Sequence, residues 1–119
     1  MNCYHLWCDL NRSVSDIAFV DAVHAYLGYL REGGKIAGYR ITRRKFGFSP
    51  PELGDFHITI ETHDLAQLDE AFKLVATRDD EVERLHAKVF SAVCNLRTAL
   101  YRDFPDAERQ TPPRPALHS

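Results

Sequence analysis

Two neighbouring segments of the chain alternate apolar and polar residues, and a stretch rich in Gly, Pro and Ser separates them. The segments are KIAGYRITRRKF at residues 35–46 and DFHITIET at residues 55–62. Successive side chains of a β-strand point to opposite faces, so this alternation is typical of strands with one buried face. Pro50 and Pro51 exclude regular pairing within the connection. The pattern therefore predicts an antiparallel hairpin with a long loop.

The N-terminal part of the chain predicts a further strand and then a helix. Residues 2–10 alternate between one face of Tyr4, Leu6, Cys8 and Leu10 and a second face of Cys3, His5, Trp7 and Asp9. Ser13 and Asp16 have the spacing of a capping box, which starts a helix. Apolar residues then recur at helical spacing until Gly33 and Gly34, a pair that is typical of a helix end.

The C-terminal half predicts two more helices. The first covers residues 64–80, where Asp64 and Gln67 have capping-box spacing. The second covers residues 80–104, because apolar residues continue at helical spacing through that whole segment. An alternative interpretation makes AKVFSAVCN, residues 87–95, a fourth strand. The unbroken helical spacing favours the long helix.

Length and composition indicate one ordinary globular domain. The chain has 119 residues, of which 45% are hydrophobic and 27% are charged. The expected α+β domain covers residues 1–105. Residues 106–119 are Pro-rich and polar, so we expect a flexible tail with too little apolar surface to bury.

Charge and cysteine content narrow the class of protein. The formal net charge is -2, which argues against binding to nucleic acid or to a membrane surface. No run approaches the ~20 apolar residues that span a bilayer. The chain has three cysteines, shows no CxxC motif and lacks a signal-like opening. We therefore expect a cytoplasmic protein with reduced thiols.

The order of strands and helices predicts a split βαβ unit. A right-handed crossover through the first helix is expected to place the first strand parallel to the third, with the second strand antiparallel beside the third. The apolar faces of the strands then pack against the helices. The opposite faces are too aromatic for plain solvent surface, which indicates that two copies pair sheet to sheet.

This order, with EGGKIAGYRITRRKFGF running into LGDFHITIE and then DLAQLDEAF, resembles the dimeric α/β-barrel superfamily of ferredoxin-like domains. More narrowly, it is similar to a small family of uncharacterised bacterial proteins within that superfamily. The resemblance covers residues 1–104 and implies a ferredoxin-like βαββα fold, here with an extra long C-terminal helix. It also implies a homodimer whose two sheets enclose a cleft for small aromatic or hydrophobic molecules. Superfamily members include cofactor-independent monooxygenases, haem-handling enzymes, dehydratases and stress-response proteins.

One sheet face carries the candidate site. In the expected parallel register His5 lies near His57, and Arg40 lies across the hairpin from about Thr59. Imidazole suits proton transfer near neutral pH, and arginine offers a fork for a carboxylate or an enolate oxygen. We therefore predict His57, His5 and Arg40 as catalytic residues. The predicted ligand-binding residues are Trp7, Thr42, Thr59, Glu61 and Cys3.

The same residues allow a second interpretation. His57 and Glu61 also suit hydrogen-bonded groups at a dimer interface, and Arg40 suits a pair with a carboxylate such as Glu61. Cys3 is either a thiol nucleophile or a small buried hydrophobe. No HxH, HxxxH or HExxH motif supports a metal site, and no cofactor is expected.

The sequence thus predicts a homodimer that binds a small hydrophobic or aromatic molecule between its sheets. The chemistry would be proton transfer or, by the resemblance, monooxygenase-like. The alternative is a non-enzymatic dimerisation or interaction module whose inner sheet face is only an interface.

Overall fold

A computed structural model describes residues 1–106 and residue 109, and within them the chain forms an α+β fold. The predicted tail at 106–119 otherwise lies outside the described residues. In chain order the elements are β1 (Asn2–Leu10), α1 (Asp16–Glu32), β2 (Gly38–Arg43), β3 (Phe56–Thr62), α2 (Leu65–Ala76), α3 (Asp80–Phe90) and β4 (Val93–Arg102).

The strands form one antiparallel sheet in the order β2-β3-β1-β4. The predicted hairpin of β2 and β3 is confirmed, with Arg40 directly opposite Thr59. The predicted parallel pairing of β1 with β3 is wrong, because these strands are antiparallel, with Trp7 opposite His57. The crossover through α1 instead makes β1 parallel to β2, and β3 lies between them.

The predicted long helix over 80–104 is wrong in its second half. Helix α3 ends at Phe90, and β4 follows from Val93. The fourth-strand alternative at 87–95 was also misplaced, since only its last residues belong to β4. Apolar residues in this segment fit both periods, and pairing with the whole of β1 decides in favour of a strand. Asn95, with φ of 54°, lies where the register of that pairing shifts.

Side-chain caps define the helix starts. The Ser15 hydroxyl accepts a hydrogen bond from the backbone N–H of Ala18 at 3.3 Å, so α1 begins later than the predicted Ser13 cap. At α2 the predicted box is confirmed. The Asp64 carboxylate accepts from the Gln67 N–H at 2.8 Å, and the Gln67 side chain accepts from the His63 N–H at 2.7 Å.

The helices cover one face of the sheet and form the core with it. Phe19 of α1 is 1% exposed and meets Phe56 of β3 edge to face, with ring centroids 5.2 Å apart. The predicted apolar strand faces are confirmed at their buried centres by Leu6, Cys8, Phe56 and Ile58. None of the helices α1 to α3 covers the opposite sheet face, which is called the open face below.

The loop between β2 and β3 is held against β1 by close backbone packing. A Cβ atom added to Gly54 would lie 2.3 Å from the carbonyl carbon of Cys8, so only glycine fits there. The Asp9 carboxylate accepts hydrogen bonds from the Asp55 N–H at 2.9 Å and from the Asn95 amide at 3.1 Å. These hydrogen bonds lower the pKa of Asp9. One charged side chain therefore ties the loop and the β4 bulge to β1.

Candidate functional site

The open face carries rows of side chains that cross all four strands. From β2 to β4 the rows are Gly38–Glu61–Cys3–Tyr101, Arg40–Thr59–His5–Ala99 and Thr42–His57–Trp7–Arg97. Alternate residues of a strand share a face, so these positions all lie on one side of the sheet. The eight residues predicted for the site are all among them.

Two imidazoles meet at the centre of this face. Nδ1 of His5 lies 2.8 Å from Nε2 of His57, which is a hydrogen-bond distance. The sequence expectation placed these residues side by side in a parallel register, and that register is wrong. In the antiparallel sheet His5 faces Thr59 while His57 faces Trp7, so the two imidazoles meet on the diagonal.

Aromatic rings surround the imidazole pair. Trp7 stacks on His57, with ring centroids 4.7 Å apart and an interplanar angle of 7°. Trp7 is also stacked with His5 at 5.6 Å, and Tyr101 of β4 meets His5 edge to face at 5.0 Å. These rings form an aromatic cluster on the open face, against which another planar molecule can pack.

The environment keeps His57 neutral at neutral pH. Partial burial lowers the pKa of His57, and the neighbouring His5 lowers it further. The hydroxyl oxygen of Thr59 lies 3.3 Å from Nε2 of His57. The hydroxyl of Thr42 donates to the backbone carbonyl of His57 at 3.2 Å. The two threonines therefore hold this part of β3 and its imidazole in place.

A neutral imidazole pair can both take and give a proton. If His5 Nδ1–H donates to His57 Nε2, then His5 Nε2 has a free lone pair and His57 Nδ1 carries a proton. The opposite tautomers exchange these roles. In either case one outer nitrogen is a base and the other is an acid, linked by the 2.8 Å hydrogen bond. The pair thus has the chemistry of a short proton relay.

The other predicted site residues lie farther from the imidazoles. Arg40 is exposed on the edge strand β2 and shares a row with Thr59 and His5. Within the described residues Arg40 forms no ion pair with Glu61. Burial, and then the Glu61 charge, raise the pKa of the Cys3 thiol. A protonated thiol is a poor nucleophile, so the small-hydrophobe interpretation of Cys3 fits better.

A pocket opens beside Trp7 and His57 where the loop between β2 and β3 reaches the open face. Its volume is about 250 Å³, and its lining includes Trp7, Thr42, Phe48, Pro50, Leu53 and His57. Phe46 and Phe48 on this loop are 81% and 84% exposed and contact each other edge to face. The loop therefore adds a wall at one end of the aromatic cluster, where Phe48, Pro50 and Leu53 lie beside the charged Arg43, Arg44 and Asp55.

Sequence reasoning missed Arg97, Tyr101 and Phe48 as neighbours of the site. Arg97 and Tyr101 share rows with Trp7 and Cys3. Their signal is the alternation in NLRTALYR, which the interpretation of 80–104 as a helix obscured. Phe48 gave no signal, because its position depends on how the loop packs across β1.

Two general features complete the description of the site. No three His, Cys, Asp or Glu side chains in the described part of the chain are grouped so that they could hold a metal ion. Among residues 1–106 and 109, no helix combines the length and apolar character needed to cross a membrane.

Solved structures of other proteins share this fold. The At3g17210 protein of Arabidopsis thaliana is 8% identical with a TM-score of 0.70, over 90% of this chain and 99% of its own. A dimeric ferredoxin-like protein of unknown function from Jannaschia sp. CCS1 is 12% identical with a TM-score of 0.63, over 87% and 100%. A hydroxynitrile lyase from Passiflora edulis is 10% identical with a TM-score of 0.61, over 87% and 96%. At these identities the likeness shows the fold alone, and it confirms the predicted ferredoxin-like fold.

Comparison with curated proteins finds no match to this sequence. A family model, in contrast, matches residues 1–114, which is nearly the whole chain. This agrees with the predicted resemblance to an uncharacterised family of ferredoxin-like proteins. The chain belongs to the family of unknown function DUF6614.

Proposed function

We propose that two copies of this chain pair through their open faces and bind a small hydrophobic or aromatic molecule between the sheets. The molecule stacks on Trp7 and the imidazoles. His57 and His5 take a proton from the molecule and return one to it. Arg40 binds an oxygen anion, and Thr42, Thr59, Glu61 and Cys3 line the cleft. The observation that carries the proposal is the His5–His57 hydrogen bond under a stacked tryptophan.

Surface properties support the dimer. Tyr101 is 62% exposed on β4, and the open face presents Trp7 and two imidazoles where a monomer would meet water. Aromatic side chains are enriched at protein interfaces. Proteins of the same fold from Jannaschia sp. CCS1, Bacteroides fragilis and Thermobifida fusca are described as dimeric. A second copy would turn the open face into the wall of a cleft.

The charges and the fold support proton transfer. A base that removes a proton from the carbon beside a carbonyl group leaves an enolate, and a nearby cation stabilises its oxygen anion. Arg40 ends the row that contains His5, and Arg97 ends the row that contains His57. Among the structures with this fold, the Passiflora edulis protein is described as an enzyme, a hydroxynitrile lyase.

The test of the chemistry uses acetophenone, a small aromatic carbon acid, in D₂O. An imidazole takes a proton from the methyl carbon, the C–H electrons form the enolate, and a deuteron then returns to carbon. NMR follows the loss of the methyl proton signal. We expect the protein to accelerate this exchange and His57→Ala or His5→Ala to remove the acceleration. Exchange at the buffer rate with the wild-type protein would contradict proton transfer.

The test of binding uses benzoate and its neutral analogue benzyl alcohol. We expect both to shift the Trp7 indole signal, and Arg40→Met to weaken benzoate about tenfold while leaving benzyl alcohol unchanged. Arg84→Met is the control, since Arg84 is exposed on α3, away from the open face, and pairs with Glu81. No shift with either molecule would contradict a ligand site on this face.

The alternative function is a dimerisation module without a ligand. The mutual stacking of Trp7, His5 and His57, with Tyr101 edge to face against His5, favours it, because such a cluster can be interface packing alone. Light scattering on His57→Ala separates the two functions. An unchanged dimer mass is expected for a ligand site, and collapse to a monomer would assign His57 to assembly.

A further inference from the structure

A second cavity lies on the other side of the sheet, between the helix-facing strand residues and the three helices. Its volume is about 320 Å³. Its walls are almost entirely apolar and include Tyr4, Tyr26, Leu30, Phe72, His86 and Leu96. An engineered cavity of ~150 Å³ already binds benzene, so this space exceeds what a single ring needs. The sheet separates it from the imidazole pair.

The cavity has a buried floor and an exposed rim. Leu30, Leu68 and Ala71 on its floor are 3%, 7% and 6% exposed. Phe72 of α2 and Leu96 of β4 on its rim are 48% and 41% exposed. A small molecule therefore has an entrance between α2 and β4. The enclosed floor suits a small molecule better than a protein segment, which needs an open groove.

Tyr26 provides a polar group inside this apolar space. Its side chain is only 7% exposed, and burial alone raises the pKa of its phenol to about 12. No described residue forms a hydrogen bond with its hydroxyl. Within the same residues, Asn2 Oδ1 is the fully enclosed side-chain polar atom without a partner. The Tyr26 hydroxyl is therefore not fully enclosed, and because the Tyr26 side chain lines the cavity, a ligand there can form a hydrogen bond with it.

Aromatic residues beside Tyr26 favour a ring as the ligand. The ring of His86 lies edge to face with Tyr26 at 5.7 Å and stacks on Phe90 at 4.4 Å. Phe72 meets Tyr4 edge to face at 5.3 Å. These contacts line the space with ring edges and faces that suit another aromatic group.

We propose that this cavity binds a small, mostly apolar aromatic molecule with one hydroxyl or carbonyl group, which forms a hydrogen bond with the Tyr26 hydroxyl. Alkylphenols have this chemistry. The site is independent of the open face, since the whole sheet lies between them. Each copy of the chain therefore has one complete cavity site of its own.

The experiment measures the binding of 4-propylphenol and propylbenzene to the full chain by NMR titration. The wild-type protein is expected to bind both, with signals of Tyr26 and His86 shifting. Tyr26→Phe removes the hydroxyl and keeps the ring, so it is expected to weaken 4-propylphenol five- to tenfold, as for ~1 kcal/mol, and to leave propylbenzene unchanged.

A cavity-filling variant gives the second test. Val75 lines the cavity and is half-buried, so Val75→Trp is expected to abolish binding of both probes. Leu65→Trp is the matched control, because Leu65 is on the same helix, is 48% exposed and lies outside the cavity. Circular dichroism checks that each variant is folded.

Three results would overturn the cavity site. These are a wild-type protein that binds neither probe, probe binding that survives in Val75→Trp, and equal weakening of both probes by Tyr26→Phe. If a second copy of the chain filled the cavity, the wild-type protein would bind neither probe. The rim residues would then be shielded from solvent in the dimer. Acetophenone exchange and benzoate binding test the open face separately, so failure at one site is distinguishable from failure at the other.

Discussion

The imidazole rings of His5 and His57 are joined on the open face by the 2.8 Å hydrogen bond between His5 Nδ1 and His57 Nε2. His57 lies in a partly buried position beside His5, and both features disfavour the charged form. At the scale of single residues, these two features explain why His57 resists protonation, which is the property that the proposed proton transfer requires.

The lowered pKa of His57 predicts how stability depends on pH. The unfolded chain takes up a proton at an ordinary histidine pKa of about 6.5, whereas folded His57 resists it. The contribution of neutral His57 to the free energy of unfolding is therefore fully present above that pH. It is lost as the pH falls through the lower pKa that His57 has in the folded protein. We expect His57→Gln to reduce the loss of unfolding free energy between pH 7.5 and 5, as measured by urea denaturation.

His63→Gln serves as the control for this experiment, since His63 is exposed at the start of α2. An equal reduction in His63→Gln, or no difference between His57→Gln and the wild type, would show that the His57 environment does not lower its pKa.

At the scale of elements, local signals predicted the segments whose structure depends on residues near each other in the sequence. The hairpin alternation and the Asp64–Gln67 box are written in neighbouring residues, and both were predicted correctly. Helix α3 and strand β4 were wrongly predicted as one helix, because their apolar residues also fit a helical period. The pairing of β4 with β1 involves residues far apart in sequence, which a local pattern does not contain.

The candidate site shows the same limit. Its eight predicted residues share one face because alternation alone sets which side of a strand they occupy. The register between β1 and β3 depends on strand direction, so the sequence did not predict the Trp7–His57 stack. Arg97 and Tyr101 were missed together with β4 itself.

Gly54, in the loop beside the site, is expected to be sensitive to substitution. Gly54→Ala places a Cβ atom 2.3 Å from the Cys8 backbone, so the loop must move away from β1. We expect a loss of about 1–3 kcal/mol in unfolding free energy, typical of overpacking, measured by urea denaturation. Gly33→Ala is the control, because its added Cβ meets only ordinary contacts, at 3.6 Å or more. Equal stabilities of the two variants would contradict the close approach.

At the scale of the whole molecule, the sheet separates two different environments. One side packs against helices and has an apolar cavity lined in part by the buried Tyr26. The other side presents imidazoles, aromatic rings and arginines, and none of the three described helices covers it. Only the second side needs another copy of the chain to become a closed site. Assembly is therefore the condition on which the proposed chemistry depends.

The dimer predicts that charge on the open face blocks assembly. Ala99 shares a row with His5 and Arg40. In a dimer, Ala99→Arg would place one bulky cation from each copy against the sheet of the other copy. Ala87→Arg is the control, because Ala87 is exposed on α3, on the other side of the molecule's sheet.

Sedimentation equilibrium at micromolar concentration measures this directly. For the wild type and Ala87→Arg we expect twice the protomer mass of 13.6 kDa, and for Ala99→Arg the mass of a single protomer. A wild-type protein that sediments as one protomer, or an Ala99→Arg variant that stays fully dimeric, would contradict pairing through the open face.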